Sequence, residues 1–294
     1  MTQVAVIVHT EKRLGRAGPE DLHKALVEAG IDKPMWYEVP KSKKASKPAR
    51  EAAEAGADLL LVWGGDGLVR RCIDALAGGK VAIGILPAGT ANLLANGLGI
   101  PIDLPQAIDV ALHGRRRKLD VGVINDERFA VMAGTGFDAV MIAEADSGKA
   151  RLGRLAYVRA GLKAARVDRV HTTVTVDGQP WFQGETTCCL VGNLGTISGG
   201  LVVFERAEPD DGRLEIGVTT ADGPKDWARL LTHLVRRKSE SSQFVRTTSG
   251  REFTIELKNK VPWELDGGDR KPVKRLDVRL EPAAIAVCVP MGNQ

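Results

Sequence analysis

Short runs of Val, Ile and Leu alternate with longer stretches of helical period through the first 118 residues. Val4 to Val8, Leu59 to Val62 and Val81 to Leu86 are continuous apolar runs of strand length, the pattern of strands buried on both faces. Between them, Asp21 to Ala29, Lys47 to Ala55 and Leu68 to Ala77 carry helical periodicity, the first stopped by Gly30 in the position of a C′ glycine. Met35 to Val39 supplies a further strand, followed by a basic, Pro-containing loop from Pro40 to Pro48. Strands alternating with helices predict a parallel sheet with crossover helices, that is, an α/β domain.

After about Asp120 the pattern changes to strand after strand: Asp120 to Val123, Arg128 to Met132, Thr172 to Val176, Thr186 to Val191, Leu214 to Thr219, Phe253 to Leu257 and Val278 to Leu280. Asp177-Gly178 marks a hairpin between two of them. This half is predicted to be mainly antiparallel, a β-sandwich. Two helices interrupt it, Leu152 to Ala165 and Asp226 to Arg237. The second carries an apolar stripe of Trp227, Leu230, Leu231, Leu234 and Val235, read as core packing rather than a membrane anchor.

A length of 294 residues at 44% hydrophobic content accommodates two domains with a core each. The N-terminus lacks the features of a secretory signal, and no apolar stretch reaches the roughly 20 residues that span a bilayer. The expectation is a soluble, cytoplasmic protein. Cys72 and Cys288 stand alone and Cys188-Cys189 lie within an apolar run, so the cysteines are expected to be buried and reduced. The five histidines are scattered, which argues against a tightly held transition metal. Net charge is +4, concentrated in Arg115 to Lys118, Lys41 to Lys47 and Arg236 to Lys238. Such runs are solvated faces or contacts for anionic lipid head groups. Nucleic acid is not expected as a partner, because only 4% of residues are aromatic.

The chemistry concentrates in two loops. Leu59 to Trp63 runs into Gly64-Gly65-Asp66-Gly67 and then a helix, a junction where glycine backbone N–H groups turn toward an anion and the helix adds its positive end. A phosphate is the expected guest. Asp66 would repel it unless a cation such as Mg²⁺ lies between; alternatively Asp66 caps the following helix. The second loop is Pro87-Ala88-Gly89-Thr90-Ala91-Asn92, in which Gly89 permits close approach and Thr90 and Asn92 bond phosphate oxygens or cap the next helix. Two such loops after neighbouring parallel strands form the crevice where open α/β sheets bind nucleotides.

Taken in order, these motifs resemble those of the diacylglycerol kinase catalytic-domain family, which includes bacterial soluble diacylglycerol kinases and sphingosine kinases. Gly64-Gly65-Asp66-Gly67 is similar to its G-G-D-G-T, and Pro87 to Asn92 to its P-x-G-T-x-N. Asp120 and Ala133 to Ala139 match a loop Asp and a G-x-G-F-D-A stretch. Asn193, Gly199-Gly200, Asp210-Asp211-Gly212 and Asp266-Gly267 match its later positions. The resemblance implies an α/β N-terminal nucleotide-binding domain (1–118 with 281–294, the strand Ala283 to Val289 returning to it) and a mainly antiparallel β-sandwich C-terminal domain (119–280). It implies Mg-ATP in the cleft between the domains, with Gly64, Gly65, Asp66, Gly67, Gly89, Thr90 and Asn92 around the nucleotide. Asp66 and Asp120 then serve the metal, with Asp210 or Asp211 at a further structural Mg²⁺. The implied acceptor is a lipid hydroxyl at the membrane surface, such as that of diacylglycerol, reached peripherally from the inner face. A second copy of the chain stays open as a partner.

Four departures accompany the resemblance. Leu68 replaces the Thr after G-G-D-G, Arg70-Arg71 replaces Asn-Glu, His9-Thr10-Glu11-Lys12 replaces an Asn-Pro and Ser-Gly loop, and Gly268 replaces the Glu of D-G-E. With that base missing, the catalytic candidates are Asp266 itself, Glu264 on the same strand face as Asp266, and Asp269 if the chain turns at Gly267-Gly268. Two other functions stay open: a catalytically impaired relative that binds nucleotide or lipid as a sensor, and an NAD kinase, whose G-G-D-G loop is similar.

Overall fold

The computed structural model describes residues 3–136, 168–196, 202–236 and 239–292. It divides into two compact units, Met1–Val121 with Glu281–Gln294, and Gly122–Leu280.

The first unit is an α/β domain. Strands β1 (Val4–His9), β2 (Met35–Val39), β3 (Leu59–Gly64) and β4 (Ala82–Pro87) pair in parallel in the order β4-β3-β1-β2. The end of β14 (Gly268–Val289) adds to β4 in parallel through Ala286 and Val287. Every residue of β3 and β4 is buried, as the unbroken apolar runs require. Crossover helices α1 (Pro19–Glu28), α2 (Ser46–Glu54), α3 (Asp66–Leu76) and α5 (Leu104–His113), with the short α4 (Leu93–Gly97), supply the remaining apolar faces. Leu22 and Leu26 of α1 and Ala107, Ile108 and Ala111 of α5 pack with Val6, Leu61 and Trp63. α2 begins at Ser46, one residue before the expected Lys47, with Pro48 inside its first turn.

The second unit is a mainly antiparallel β-sandwich domain built from β6 (Glu127–Phe129), β7 (Met132–Thr135), β8 (Val170–Val176), β9 (Gln179–Thr186), β10 (Cys188–Gly192), β11 (Leu214–Thr219), β12 (Val245–Gly250) and β13 (Glu252–Leu265). β13 pairs with β14 along both its parts; on its other side its first part pairs with β8 and its end with β7, which continues to β10, β11 and β12. A register irregularity between Glu256 and Val261 accompanies this change of partner. Phe253, Ile255, Val191, Ile216, Trp263 and Leu276 lie in its core. Helix α6 (Gly223–Val235) buries Trp227 and Leu230, in keeping with the core role read from its stripe.

Asp177-Gly178 closes the β8–β9 hairpin with both residues at positive φ (48° and 77°), as a two-residue type I′ turn requires. Three expectations are corrected. The strand expected over Arg128 to Met132 is two strands, interrupted at Ala130-Val131. The strand expected from Thr186 to Val191 is likewise two, β9 ending at Thr186 and β10 starting at Cys188. The isolated runs Phe253 to Leu257 and Val278 to Leu280 are parts of far longer strands. The helix expected at Leu152 to Ala165, together with Phe137 to Ala139 and Gly199-Gly200, lies outside the described residues. Among the described residues no helix is long and apolar enough to cross a membrane. All four cysteines are free and buried, and burial pushes the Cys72 and Cys189 thiols up to about 12.

Candidate active site

Parallel register carries β1, β3 and β4 to one edge of the sheet, Trp63 standing opposite Val8 and Gly64 opposite Pro87. Both glycine loops begin there. Gly65 is the N-cap of α3 and Asp66 its first residue. The loops touch backbone to backbone: a Cβ on Gly65 would lie 3.0 Å from the Gly89 Cα, and one on Gly89 would overlap the Gly65 Cα and come within 2.6 Å of Asn92 Oδ1. No residue but glycine fits at either position without moving the other loop.

Asn92, at φ 48°, shapes the second loop from inside. Its Oδ1 accepts from the Gly89 N–H (2.8 Å), while Nδ2 donates to the carbonyls of Gly89 (3.0 Å) and Pro87 (3.3 Å). Thr90 is exposed at the tip. Asp66 does not cap its own helix; Oδ1 accepts from the Leu94 N–H (3.1 Å) and so ties the first loop to the second. Its Oδ2 receives no bond from a described residue. This arrangement fits Mg²⁺, which characteristically takes one or two carboxylates and completes its shell with phosphate oxygens and water.

Leu68 is fully buried beneath Gly64, where a Cβ would meet its side chain at 2.5 Å. The position therefore packs the core and offers nothing to a ligand. Arg70 is buried and Arg71 half-buried. Two residues that the sequence reading did not single out as site members also lie at this edge. Ser42 places Oγ 3.7 Å from where a Gly67 Cβ would stand. His9 ends β1, is 6% exposed, and accepts from the Glu11 N–H at Nδ1 (3.4 Å). Burial, with the Lys12 charge adding to it, holds the imidazole below its ordinary pKa and so neutral. The Lys12 carbonyl in turn accepts from Trp63 Nε1 (3.0 Å). A polar residue at the carboxyl end of a parallel strand was the available signal for His9.

Asp120, Asp210 and Asp211 are the remaining metal candidates. Asp120, buried in β5 (Arg115–Ile124), accepts from the Ala283 N–H at 2.7 Å and holds Ala283 at its left-handed φ of 47°. Asp210 and Asp211 are exposed in the turn before β11, with Asp211 accepting from the Arg213 N–H (2.9 Å). Among the described residues no three His, Cys, Asp or Glu side chains cluster as metal ligands.

In the sandwich unit the chain turns at Asp266-Gly267 (φ 45° and 75°), with Leu265 paired to Gly268 and Glu264 to Asp269. The turn thus falls one residue before the expected Gly267-Gly268, and Asp266 stands in it instead of sharing a strand face with Glu264. Its carboxylate accepts from three consecutive backbone amides, Ala130, Val131 and Met132, each at 3.0 Å. These are the amides freed where the expected strand breaks. Asn193, from the same motif set, donates to the Ala130 carbonyl (3.2 Å). A cavity of about 580 Å³ opens beside the hairpin, its lining including Gly136, Val261, Trp263, Glu264 and Asp269.

Comparison with known proteins bears on what these loops are for. The model of the diacylglycerol kinase catalytic domain matches residues 3–124, and that of the YegS C-terminal NAD kinase beta sandwich-like domain matches residues 131–289. The chain belongs to the diacylglycerol kinase family. A "probable lipid kinase YegS-like" protein of Pseudomonas aeruginosa is 31% identical over 99% of this chain and 95% of its own. A diacylglycerol kinase of Mycobacterium tuberculosis is 29% identical over 81% of this chain and 79% of its own. Among solved structures, a diacylglycerol kinase of Bacillus anthracis superposes with a TM-score of 0.73 over 98% of this chain and 96% of that one, at 19% identity. An Archaeoglobus fulgidus NAD kinase in complex with ATP is more distant, with a TM-score of 0.52 at 11% identity over 98% and 93%. These structural likenesses speak to the fold.

Proposed function

We propose that the protein is an ATP-dependent lipid kinase that transfers the γ-phosphate to a lipid hydroxyl such as that of diacylglycerol. The observation that carries this reading is the pair of glycine loops packed backbone to backbone and tied by the Asp66–Leu94 bond. Phosphoryl transfer is mostly positioning and charge neutralisation, and this pair of loops offers both. Backbone amides at the start of α3 receive phosphate oxygens, Asn92 keeps the second loop in shape, and Asp66 supplies a carboxylate oxygen to Mg²⁺. When bound, the metal neutralises phosphate charge. Family membership and the named lipid kinases among the relatives support the same activity.

The acceptor is reached at an anionic membrane surface, for which the basic start of β5, Arg115 to Lys118, supplies mostly exposed charge. A specific observation favours a second reading, a non-catalytic relative that binds nucleotide: Gly268 offers no side chain where the family carries a carboxylate. The two readings, and NAD kinase activity, separate in one acceptor panel. With Mg-ATP as donor, phosphorylation of diacylglycerol and not of NAD supports the proposal. Phosphorylation of NAD alone overturns it, and stabilisation by Mg-ATP with no acceptor phosphorylated favours the non-catalytic relative.

A further inference from the structure

At the amino ends of its parallel strands, opposite the glycine loops, the α/β unit has a second cavity, of about 480 Å³. It opens where β1, β2 and β3 begin, at Val4, Met35 and Leu59, and where α1 and α5 end, at Ala29-Gly30 and Leu112-His113. The six residues of β3 set it roughly 17 Å from Gly64 at the usual rise of a strand. Its lining carries charges of two kinds. Lys33 and Arg116 supply cations, neither in an ion pair with a described residue, and His113 joins them with its Nδ1 held by Asp109 Oδ1 (2.8 Å). The Arg116 charge is felt at the floor, where it draws down the Cys288 thiol that burial raises. Against these donors stand acceptors. The last carbonyls of a helix have no intrahelical partner, and α1 has no basic residue in its last turn to neutralise that end. Asp32, exposed on the rim, adds a carboxylate.

A bare anion would satisfy the cations but be repelled by the helix-end carbonyls and Asp32, and a neutral polyol would leave the cations unmet. A phosphate carried on a hydroxylated carbon skeleton meets both: its oxygens accept from Lys33 and Arg116, and its hydroxyls donate to carbonyls and carboxylate. Half-buried Ile31, Met35 and Leu112 give the skeleton an apolar wall. The volume lies within the usual range of small-molecule pockets, about 300–1,000 Å³.

We propose that this cavity binds the phosphate ester of a small polyol, with Arg116 and Lys33 holding the phosphate and Asp32 accepting from a hydroxyl. The site is separate from the nucleotide edge and does not depend on the lipid-kinase reading. Two sources carry this chemistry, a free phosphorylated polyol and the head group of a phospholipid such as phosphatidylglycerol. Arg116 belongs to the basic start of β5, so a membrane can present the same group.

The test is calorimetric titration of glycerol phosphate into wild type, Arg116→Gln, Lys33→Gln and Asp32→Ala, with inorganic phosphate and glycerol as comparison ligands. All three side chains are exposed, so the variants should melt near wild type. Glycerol phosphate should bind more tightly than inorganic phosphate, and glycerol should not bind. Arg116→Gln and Lys33→Gln should each weaken the ester about tenfold, the scale of one charge-assisted hydrogen bond. Asp32→Ala should weaken the ester yet tighten inorganic phosphate, an inversion that a loss of folding would not produce. Binding should persist at saturating Mg-ADP, because the glycine loops lie at the other end of the strands. Sedimentation with phosphatidylglycerol vesicles separates the sources. Release of the protein by glycerol phosphate assigns the site to a head group, and vesicle binding that is absent or indifferent to it assigns the free ester. Three results would each overturn the proposal: no binding of glycerol phosphate to folded wild type at several millimolar, unchanged affinity in Arg116→Gln and Lys33→Gln, or displacement by Mg-ADP.

Discussion

At the scale of single residues, the site is held by side chains that shape backbone, and this gives each substitution a distinct signature. Asp66→Asn keeps an oxygen for the Leu94 amide but removes the negative charge offered to a cation. Its melting temperature should stay near wild type while the stabilisation by Mg-ATP falls, and by linkage a tenfold weaker ligand in excess loses about 1.4 kcal/mol of apparent stability. His9 makes the opposite kind of prediction. Its folded pKa lies below the unfolded value, so the unfolded chain binds the proton more readily. The stability that neutral His9 contributes is complete above the unfolded pKa of about 6.5 and is lost as pH falls toward the folded value. Melting temperatures measured from pH 7.5 to 5.5 should therefore drop less in His9→Gln than in wild type. Equal slopes would contradict the burial argument.

At the scale of elements, two junctions decide whether the parts hold together. Gly89→Ala would drive a methyl group into Gly65 and Asn92, and overpacking of this kind costs about 1–3 kcal/mol. It should also abolish the nucleotide-induced shift, because both loops move. Asp266→Ala strands three backbone amides. With each unsatisfied amide costing roughly 1–3 kcal/mol, urea unfolding should register a loss of about 3 kcal/mol or more, against a smaller loss in Asp266→Asn. What was legible in the sequence follows the same lines. β1 to β4 announced themselves because burial on both faces leaves only apolar residues, and the glycine loops because phosphate chemistry needs glycine. The long β13–β14 hairpin was legible only at Phe253 to Leu257 and Val278 to Leu280. Between those runs the strands carry Lys258, Lys260, Lys271, Lys274 and Arg275, all exposed, and these charges obscure the apolar side that Val261, Trp263, Leu265, Val273 and Leu276 present to the core. Asp266-Gly267 is the same turn signal as Asp177-Gly178, and it also coincides with the start of the D-G-E motif. The anchoring role of Asp266 depends on amides more than 130 positions earlier, which no local pattern reports.

At the scale of the whole molecule, the two-loop phosphate site of the α/β unit is the feature on which the proposed transfer of phosphate from ATP to a lipid hydroxyl depends. The departures at Leu68 and Gly268 weigh differently on that claim. Leu68 is buried packing and removes nothing from the nucleotide edge except a hydroxyl; Gly268 leaves no side chain at the position where the family motif carries Glu. The most direct measurement is transfer of label from γ-³²P-ATP to diacylglycerol in mixed micelles with Mg²⁺, wild type beside Asp66→Asn. Labelled lipid that depends on Mg²⁺ and is strongly reduced in Asp66→Asn is the expected result, while a folded wild-type protein that is stabilised by Mg-ATP and yields no labelled lipid would contradict the lipid-kinase function.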